Sequence, residues 1–349
     1  MFSYEKVSCS MQTILKNIEK EGLVVFDGDC QVTVQQIVQA RSRLRTVVHR
    51  TPLQHSNTFS AMTGTDLYMK LENLQKTGAF KLRGAYNKLA LLSEAERKNG
   101  VITASAGNHA QGVACAAAAF GIASTVFMPE TAPLSKKAAT ENYGSRVVLT
   151  GCNYDEAFAA AQNAAVESGA VFVHAFDDPD IIAGQGTIGL DIMDELPDAE
   201  AIVVPIGGGG LISGIALAAK TINPNIQIIG VQPEQSNAAA LSWRSKQLEQ
   251  IAAPMSIADG LNVKRPGEIT FPLIDRLVDD VVTVPEHAIM HAMRLYLERA
   301  KLLVEGAGAI SLAALIDGCG YLKGKRTVVL VSGGNVDLTK IGMLTERSV

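Results

Sequence analysis

The 349-residue sequence predicts an α/β protein with two open, mostly parallel, twisted sheets and flanking helices. Short apolar segments rich in β-branched residues alternate with longer segments of helical periodicity, a pattern typical of parallel strands joined by crossover helices. Apolar residues make up 47% of the chain, which is enough for a large interior. The chain is longer than one compact core usually requires, and this favours more than one domain.

The elements can be assigned in chain order. Residues 1–31 form an N-terminal extension with a short amphipathic helix around Ile14 and Ile18. Thr33 and Gln36 fit a capping box that opens the next helix. An alanine-rich helix is expected at residues 109–120. Strands are predicted at residues 67–71, 101–104, 124–128, 147–149, 171–174, 202–206, 226–231 and 328–331.

Charge and cysteine usage exclude several classes of protein. A net charge of -4 argues against nucleic acid or an anionic membrane as the main partner. Residues 99–129 carry no charge, but Asn108, His109 and Gln111 interrupt them, so no membrane span is expected. The first residues do not resemble a signal peptide. Five scattered cysteines without CxxC spacing indicate reduced thiols, and we therefore expect a cytoplasmic protein.

Lys81 is the first candidate for chemistry. It lies between Phe80 and Leu82 at the start of a predicted helix, where apolar neighbours can keep its amine partly dry. Alone, such a lysine is more often solvent-exposed. An aldehyde cofactor requires one amine that links to it and later carries a proton. The neighbouring motifs make that role the favoured one.

A glycine run forms the second candidate site. Residues 207–210 are four consecutive glycines between a predicted buried strand and a helix that opens at Leu211. Successive amides without side chains, together with the helix dipole, form a nest for an anion such as phosphate. No lysine follows at the spacing of a nucleoside triphosphate loop. The run therefore predicts a phosphate site of another kind.

Two further turns follow predicted strands. Ser105, Ala106, Gly107, Asn108 and His109 open a helix, and their polar and backbone N–H groups suit a carboxylate. His109 alone would more often be a packed or capping histidine. Near the end of the chain, Ser332 supplies a small hydroxyl directly after a strand.

Residues 184–189 match the dinucleotide fingerprint GxGxxG, but in the wrong context. Asp177 and Asp178 precede them in place of a strand, and a helical pattern follows. Close packing of helices explains these glycines better. A nicotinamide-dependent oxidoreductase stays as an alternative, although it leaves Lys81 unexplained.

As a set, these segments resemble the serine/threonine dehydratase family of type II pyridoxal phosphate enzymes, over about residues 32–344. The short catabolic threonine dehydratases are the most similar branch. The resemblance implies a large cofactor-holding domain from residues 32–97 and 178–349. It also implies a small mobile domain from residues 98–177.

The resemblance further implies pyridoxal 5'-phosphate as cofactor and Lys81 as the Schiff-base lysine. The implied cofactor contacts are Phe80 and Gly260 on the two ring faces, Asn108 at the ring hydroxyl, Ser332 at the pyridine nitrogen, and Gly207, Gly208, Gly209, Gly210 and Leu211 at the phosphate. The implied substrate-binding residues are Ser105, Ala106, Gly107, Asn108 and His109.

The implied reaction converts L-threonine to 2-oxobutanoate and ammonia, and L-serine to pyruvate. Racemases of the family carry a serine at the position of Ala106, which favours a dehydratase over a serine racemase. A 3-hydroxyaspartate dehydratase and a non-catalytic pyridoxal or amino-acid binding protein remain alternatives. Gln232 stands where cation-binding members carry a glutamate, so we expect no metal.

The resemblance also bears on partners. It implies a homodimer or homotetramer and an adenine-nucleotide activator, although no residue identifies a nucleotide site. Little sequence follows Ser332, so we expect no regulatory domain of the kind that biosynthetic threonine dehydratases carry.

Overall fold

The computed structural model of the protein describes residues 31–337 and Gly342. The helix predicted around Ile14 lies outside these residues. The described strands are β1 (Leu53–His55), β2 (Asp66–Leu71), β3 (Val101–Ala104), β4 (Ser124–Met128), β5 (Arg146–Leu149), β6 (Val171–Phe172), β7 (Ala201–Pro205), β8 (Gln227–Pro233), β9 (Asp280–Val284) and β10 (Arg326–Val331).

The first described α-helix opens with the predicted capping box, in which Thr33 and Gln36 exchange hydrogen bonds. The described α-helices are α1 (Val34–Leu44), α2 (Asn57–Thr63), α3 (Leu82–Ala90), α4 (Glu94–Asn99), α5 (Asn108–Phe120), α6 (Leu134–Glu141), α7 (Tyr154–Ser168), α8 (Pro179–Glu195), α9 (Gly210–Ile222), α10 (Ala238–Ser245), α11 (Thr270–Leu277), α12 (Glu286–Leu295) and α13 (Gly306–Asp317).

The strands form two sheets, as predicted. The larger sheet has the order β1-β2-β10-β7-β8-β9, and only β1 runs antiparallel to its neighbour. The smaller sheet has the order β5-β4-β3-β6 and is parallel throughout. Non-consecutive neighbours in both sheets require crossover helices, which explains the alternation in the sequence.

All eight predicted strands are present, with small differences at their ends. Strands β1 and β9 were not predicted. The strand expected at residues 171–174 ends at Phe172. The reason lies in His174, whose Nδ1 accepts the backbone N–H groups of Phe176 and Asp177 at 3.3 and 2.8 Å. The chain turns at His174 instead of continuing the ladder.

Strand β10 shows how the larger sheet buries both faces. Val328 and Leu330 pack into one core with α1, α8 and α9, whereas Val329 and Val331 pack into the other with α2, α12 and α13. All four side chains are fully buried. A central parallel strand covered on both faces needs this continuous apolar run.

The GxGxxG segment lies wholly inside helix α8, so the nucleotide-fingerprint interpretation is wrong. A Cβ on Gly184 would lie 2.6 Å from the Arg83 carbonyl oxygen, and one on Gly189 would lie 2.9 Å from the Ala218 Cβ. The glycines therefore allow α8 to pack closely against α3 and α9. A dinucleotide fingerprint requires a strand-to-helix turn at this position, and the oxidoreductase alternative loses its only support.

In the described part of the chain, no helix is long and apolar enough to cross a membrane.

Candidate active site

The site lies where loops leave the carboxyl ends of parallel strands from both sheets. The segments after β3, β6, β7 and β10 line one cavity of about 830 Å³. Open α/β sheets characteristically bind ligands at this edge. The cavity brings together every site residue predicted from the sequence, and they lie on segments far apart in the chain.

Lys81 is held in the cavity by backbone contacts with the segment after β10. Ala79 and Gly333 form an isolated antiparallel bridge, and the Phe80 N–H donates to the Ser332 carbonyl at 3.1 Å. These contacts place Lys81 at the start of α3, beside Ser332. The two motifs are adjacent because their backbones pair.

The Lys81 amine is set up for chemistry by its surroundings. Nζ donates to the Ala175 carbonyl oxygen at 2.8 Å and lies 5.3 Å from the centre of the Phe80 ring. Burial lowers the pKa of Lys81 from 10.5 to about 8, and the nearby Glu305 carboxylate opposes this shift. A substantial fraction of the amine is therefore neutral near physiological pH, as a nucleophile or general base requires.

Asn108, the first residue of α5, is gripped at both ends of its amide. Its Nδ2 donates to Glu305 Oε1 at 2.7 Å, and its Oδ1 accepts from Asn335 Nδ2 at 2.8 Å. Asn335 is itself oriented, because Nδ2 also donates to the Thr77 carbonyl at 2.8 Å. One N–H of Asn108 remains free to donate to a ligand in the cavity.

The remaining residues of the Ser105 segment surround the start of α5. Ser105 Oγ accepts the Gly107 N–H at 3.1 Å, and no side chain caps the helix. The open N-terminal amides leave a site for a negative group. Ala106 and Gly107 line the same stretch of the cavity.

The His109 side chain is directed mainly into the protein. Its Nε2 lies 3.1 Å from the Val173 carbonyl oxygen, and burial lowers the pKa of the ring to about 3. The ring is therefore neutral and donates through Nε2. Its buried Nδ1 has no hydrogen-bond partner among the described residues. His109 can therefore offer a carboxylate its backbone amide, but no charge.

The tetraglycine turn has a backbone that only glycine allows. Gly209 has a φ of +102°, which L side chains rarely adopt. A Cβ on Gly208 would lie 2.3 Å from the Phe176 ring, and one on Gly210 would lie 2.7 Å from the Phe176 carbonyl oxygen. Within the described residues, the amides of the last three glycines have no hydrogen-bond acceptor. The turn thus offers unpaired N–H groups at the start of α9.

Ser332 and Gly260 lie on other walls of the cavity. Ser332 is buried, and its hydroxyl donates to the Ala307 carbonyl at 3.1 Å. Rotation about the Cβ–Oγ bond can redirect this proton towards a ligand nitrogen. Gly260 lies in a short 3₁₀ turn, and its carbonyl oxygen lies 3.3 Å from the position of a Cβ on Gly207. No side chain projects from Gly260 into the cavity.

The cavity fits pyridoxal 5'-phosphate in its chemistry. Lys81 supplies an amine of lowered pKa for the aldehyde, and the glycine amides supply donors for the phosphate. Asn108 keeps a free donor for the ring oxygen, and Ser332 a hydroxyl for the ring nitrogen. These matches use the residues that the sequence predicted, although their individual roles remain predictions.

Sequence reasoning missed the segment from His174 to Asp178. Ala175 supplies the carbonyl that holds Lys81, and Phe176 covers the tetraglycine turn. Glu305 and Asn335 were also missed as site residues. Backbone carbonyls leave no signal in a sequence. A polar residue directly after a parallel strand, such as His174, was the signal available.

Gln232 has a structural role in the described fold. It is fully buried, its Nε2 donates to the Ile206 carbonyl at 3.1 Å, and its Oε1 accepts the Ala240 N–H at 2.8 Å. Both ends of the amide are therefore already engaged with backbone. Among the described residues, no three histidine, cysteine or acidic side chains cluster as metal ligands would.

The chain is similar over most of its length to known enzymes. The chain is 50% identical to an L-threonine ammonia-lyase of Thermotoga maritima over 318 residues, 91% of this chain and 79% of the relative. It is 44% identical to the catabolic L-threonine dehydratase TdcB of Escherichia coli, over 91% of this chain and 97% of the relative.

The fold has a solved counterpart as well. The structure of maize serine racemase matches with a TM-score of 0.86 at 37% identity, and the match covers 90% of this chain and 96% of that one. The predicted type II pyridoxal phosphate fold is confirmed. The family model described as pyridoxal-phosphate dependent enzyme matches residues 44–333, and the chain therefore belongs to that family.

Proposed function

We propose that the protein is a threonine ammonia-lyase that converts L-threonine to 2-oxobutanoate and ammonia, and also L-serine to pyruvate. The observation that carries the proposal is the placement of Lys81. Its amine, with a pKa lowered to about 8, shares one cavity with a phosphate-sized glycine nest and an open helix N-terminus. The names of the relatives with 50% and 44% identity support the same reaction.

Pyridoxal 5'-phosphate, when bound, supplies an electron sink that makes the substrate Cα–H acidic. Lys81 would hold the cofactor through its amine and, when released, would accept the Cα proton. The Lys81 Nζ donates to the Ala175 carbonyl at 2.8 Å, a contact that would orient the free amine. The β-hydroxyl would leave with a proton as water, and hydrolysis of the resulting enamine would give the 2-oxo acid and ammonia.

The start of α5 is the proposed site for the substrate carboxylate. The Ser105 hydroxyl and the backbone N–H groups of Asn108 and His109 lie at an uncapped helix end, where the helix dipole favours a negative group. Lys81 lines the same cavity, so a substrate bound there would lie within reach of its amine. The His109 ring is neutral and adds no charge. The backbone amides at the start of α5 would therefore make most of the interactions with the substrate carboxylate.

Ala106 favours elimination over racemisation. Racemisation needs a proton donor on the substrate face opposite Lys81, and a methyl group cannot carry a proton. Ala106 lines the cavity beside Ser105 and Gly107. We therefore propose that the enzyme acts on L-substrates from one side.

The remaining features are also part of the proposal. We place the enzyme in the cytoplasm as a homodimer or homotetramer, with adenine nucleotide as an activator. The segment of residues 98–177, which contains the four-stranded sheet, is proposed as a mobile domain that moves against the rest.

An amino-acid panel tests the proposal. Release of 2-oxo acid is measured with L-threonine, L-serine, 3-hydroxyaspartate and D-serine. We expect the highest kcat/KM with L-threonine, and a loss of several orders of magnitude in Lys81→Ala, because the covalent and proton-transfer roles disappear together. Conversion of 3-hydroxyaspartate in preference to threonine would contradict the substrate assignment. Full activity of Lys81→Ala would contradict the site.

A further inference from the structure

The tetraglycine turn is braced from behind by Thr270, the first residue of α11. The fully buried Thr270 hydroxyl donates to the Gly208 carbonyl oxygen at 2.6 Å. The Gly267 N–H donates to the same oxygen at 3.3 Å and to Thr270 Oγ1 at 3.0 Å. The Gly208 carbonyl is therefore tied to the start of α11, away from the cavity.

Thr270 is in turn anchored by Asp177, from the segment after β6. The Asp177 carboxylate accepts the backbone N–H groups of Glu268 and Ile269 at 2.9 Å each, and that of Thr270 at 3.2 Å. A Cβ on Gly267 would lie 2.0 Å from Asp177 Oδ1, so only glycine permits this approach. One carboxylate thus organises the whole turn that leads into α11.

Peptide geometry connects this bracing to the cavity. In a planar trans peptide, the carbonyl and the following N–H point in opposite directions. Because the Gly208 carbonyl points to Thr270, the Gly209 N–H points the other way, and it has no acceptor within the described residues. Fixing the carbonyl therefore fixes the donor.

We infer that Thr270 and Asp177 are positioning residues for the phosphate of the cofactor, because they set the direction in which the Gly209 amide donates. This inference rests on the proposed function, since it takes pyridoxal 5'-phosphate as the ligand of the tetraglycine turn. Neither side chain needs to touch the phosphate. Both act through the peptide between Gly208 and Gly209.

Binding of two cofactor forms tests the inference. Dissociation constants of pyridoxal 5'-phosphate and of pyridoxal, which lacks the phosphate, are measured on cofactor-free protein. The variants are Thr270→Val, which removes the hydroxyl at nearly constant volume, Thr270→Ser, which retains it, and Asp177→Asn. Thr221→Val is the matched control, because the Thr221 hydroxyl is also buried and donates to a backbone carbonyl at 2.6 Å.

The dissociation constant of pyridoxal divided by that of pyridoxal 5'-phosphate measures the contribution of the phosphate. We expect Thr270→Val to reduce this ratio about tenfold, the size of one lost hydrogen bond, by weakening binding of the phosphorylated form alone. Thr270→Ser and Thr221→Val should retain the wild-type ratio. Asp177→Asn should also reduce the ratio. This variant tests the inference if Thr270→Val does not fold.

Two results would overturn the inference while leaving the proposed function in place. One is a wild-type ratio in Thr270→Val and Asp177→Asn, and the other is an equal loss of affinity for both cofactor forms, which would indicate only general damage to the fold. A wild-type protein that binds both forms equally would overturn the inference and the phosphate site together.

Discussion

The buried Lys81 amine makes a quantitative prediction about stability and pH. In cofactor-free protein, burial lowers the pKa of Lys81 from 10.5 to about 8. At about 1.4 kcal/mol per pKa unit, this difference corresponds to about 3 kcal/mol. The Lys81 side chain lies at the cavity wall and keeps partial contact with solvent, so about 3 kcal/mol is an upper value.

The sign follows from proton binding. Between about pH 8 and pH 10.5, the unfolded chain holds more protons on Lys81 than the folded protein does. The free energy of unfolding therefore rises with pH across this window. The cost of burying the charged amine is complete below about pH 8 and disappears above pH 10.5. Lys81→Met removes the titrating group, so its stability lacks this rise.

Urea unfolding from about pH 7 to about pH 11 measures the effect, in a range that brackets both pKa values. We expect the stability of wild type to rise by up to about 3 kcal/mol relative to Lys81→Met across the window. Lys98→Met is the control, because the Lys98 side chain is 76% exposed, and it should run parallel to wild type. Parallel curves for wild type and Lys81→Met would refute the reasoning.

Three other predictions follow from the site. Gly209→Asp should release the cofactor, because its Cβ would lie 2.7 Å from Ile274 Cδ1 and its charge would enter the nest; full occupancy by absorbance after dialysis would contradict this. Chelation should leave 2-oxo acid release largely unchanged, because Gln232 is engaged with backbone; inactivation reversed by magnesium or calcium would show a required cation. Wild type should form negligible D-serine from L-serine, whereas Ala106→Ser should increase proton exchange at Cα. Chiral chromatography and deuterium incorporation measure these two outcomes, and abundant D-serine from wild type would contradict the assignment to a lyase.

The central strands of the larger sheet could be predicted because they are buried on both faces. The run that ends at Val331 is continuously apolar since β10 lies between two cores. Strand β1 escaped prediction because it is three residues long and pairs on only one side. Strand β9 lies at the opposite edge of the larger sheet. Of its five residues, Val281 and Val284 are buried. Edge strands carry a weaker pattern than central ones.

The sequence predicts those site residues whose side chains have distinctive neighbours. Lys81, Ser332 and the four glycines stand in recognisable motifs, and the structure brings them into one cavity. Ala175 could not be found, because it contributes a carbonyl that any residue possesses. Thr270 was missed for another reason. Its importance depends on the direction of one peptide group, which a sequence does not display.

The amide of Asn108 has a practical consequence for experiments on motion. Asn108 follows a strand of the smaller sheet, whereas its partners Glu305 and Asn335 belong to segments beside the larger one. A displacement of the two sheets would strain these bonds and reorient the Asn108 amide, the donor that we propose for the ring oxygen of the cofactor. We expect the absorbance of the cofactor to report such a displacement directly. The cofactor absorbance would then report movement between the two sheets without an attached dye.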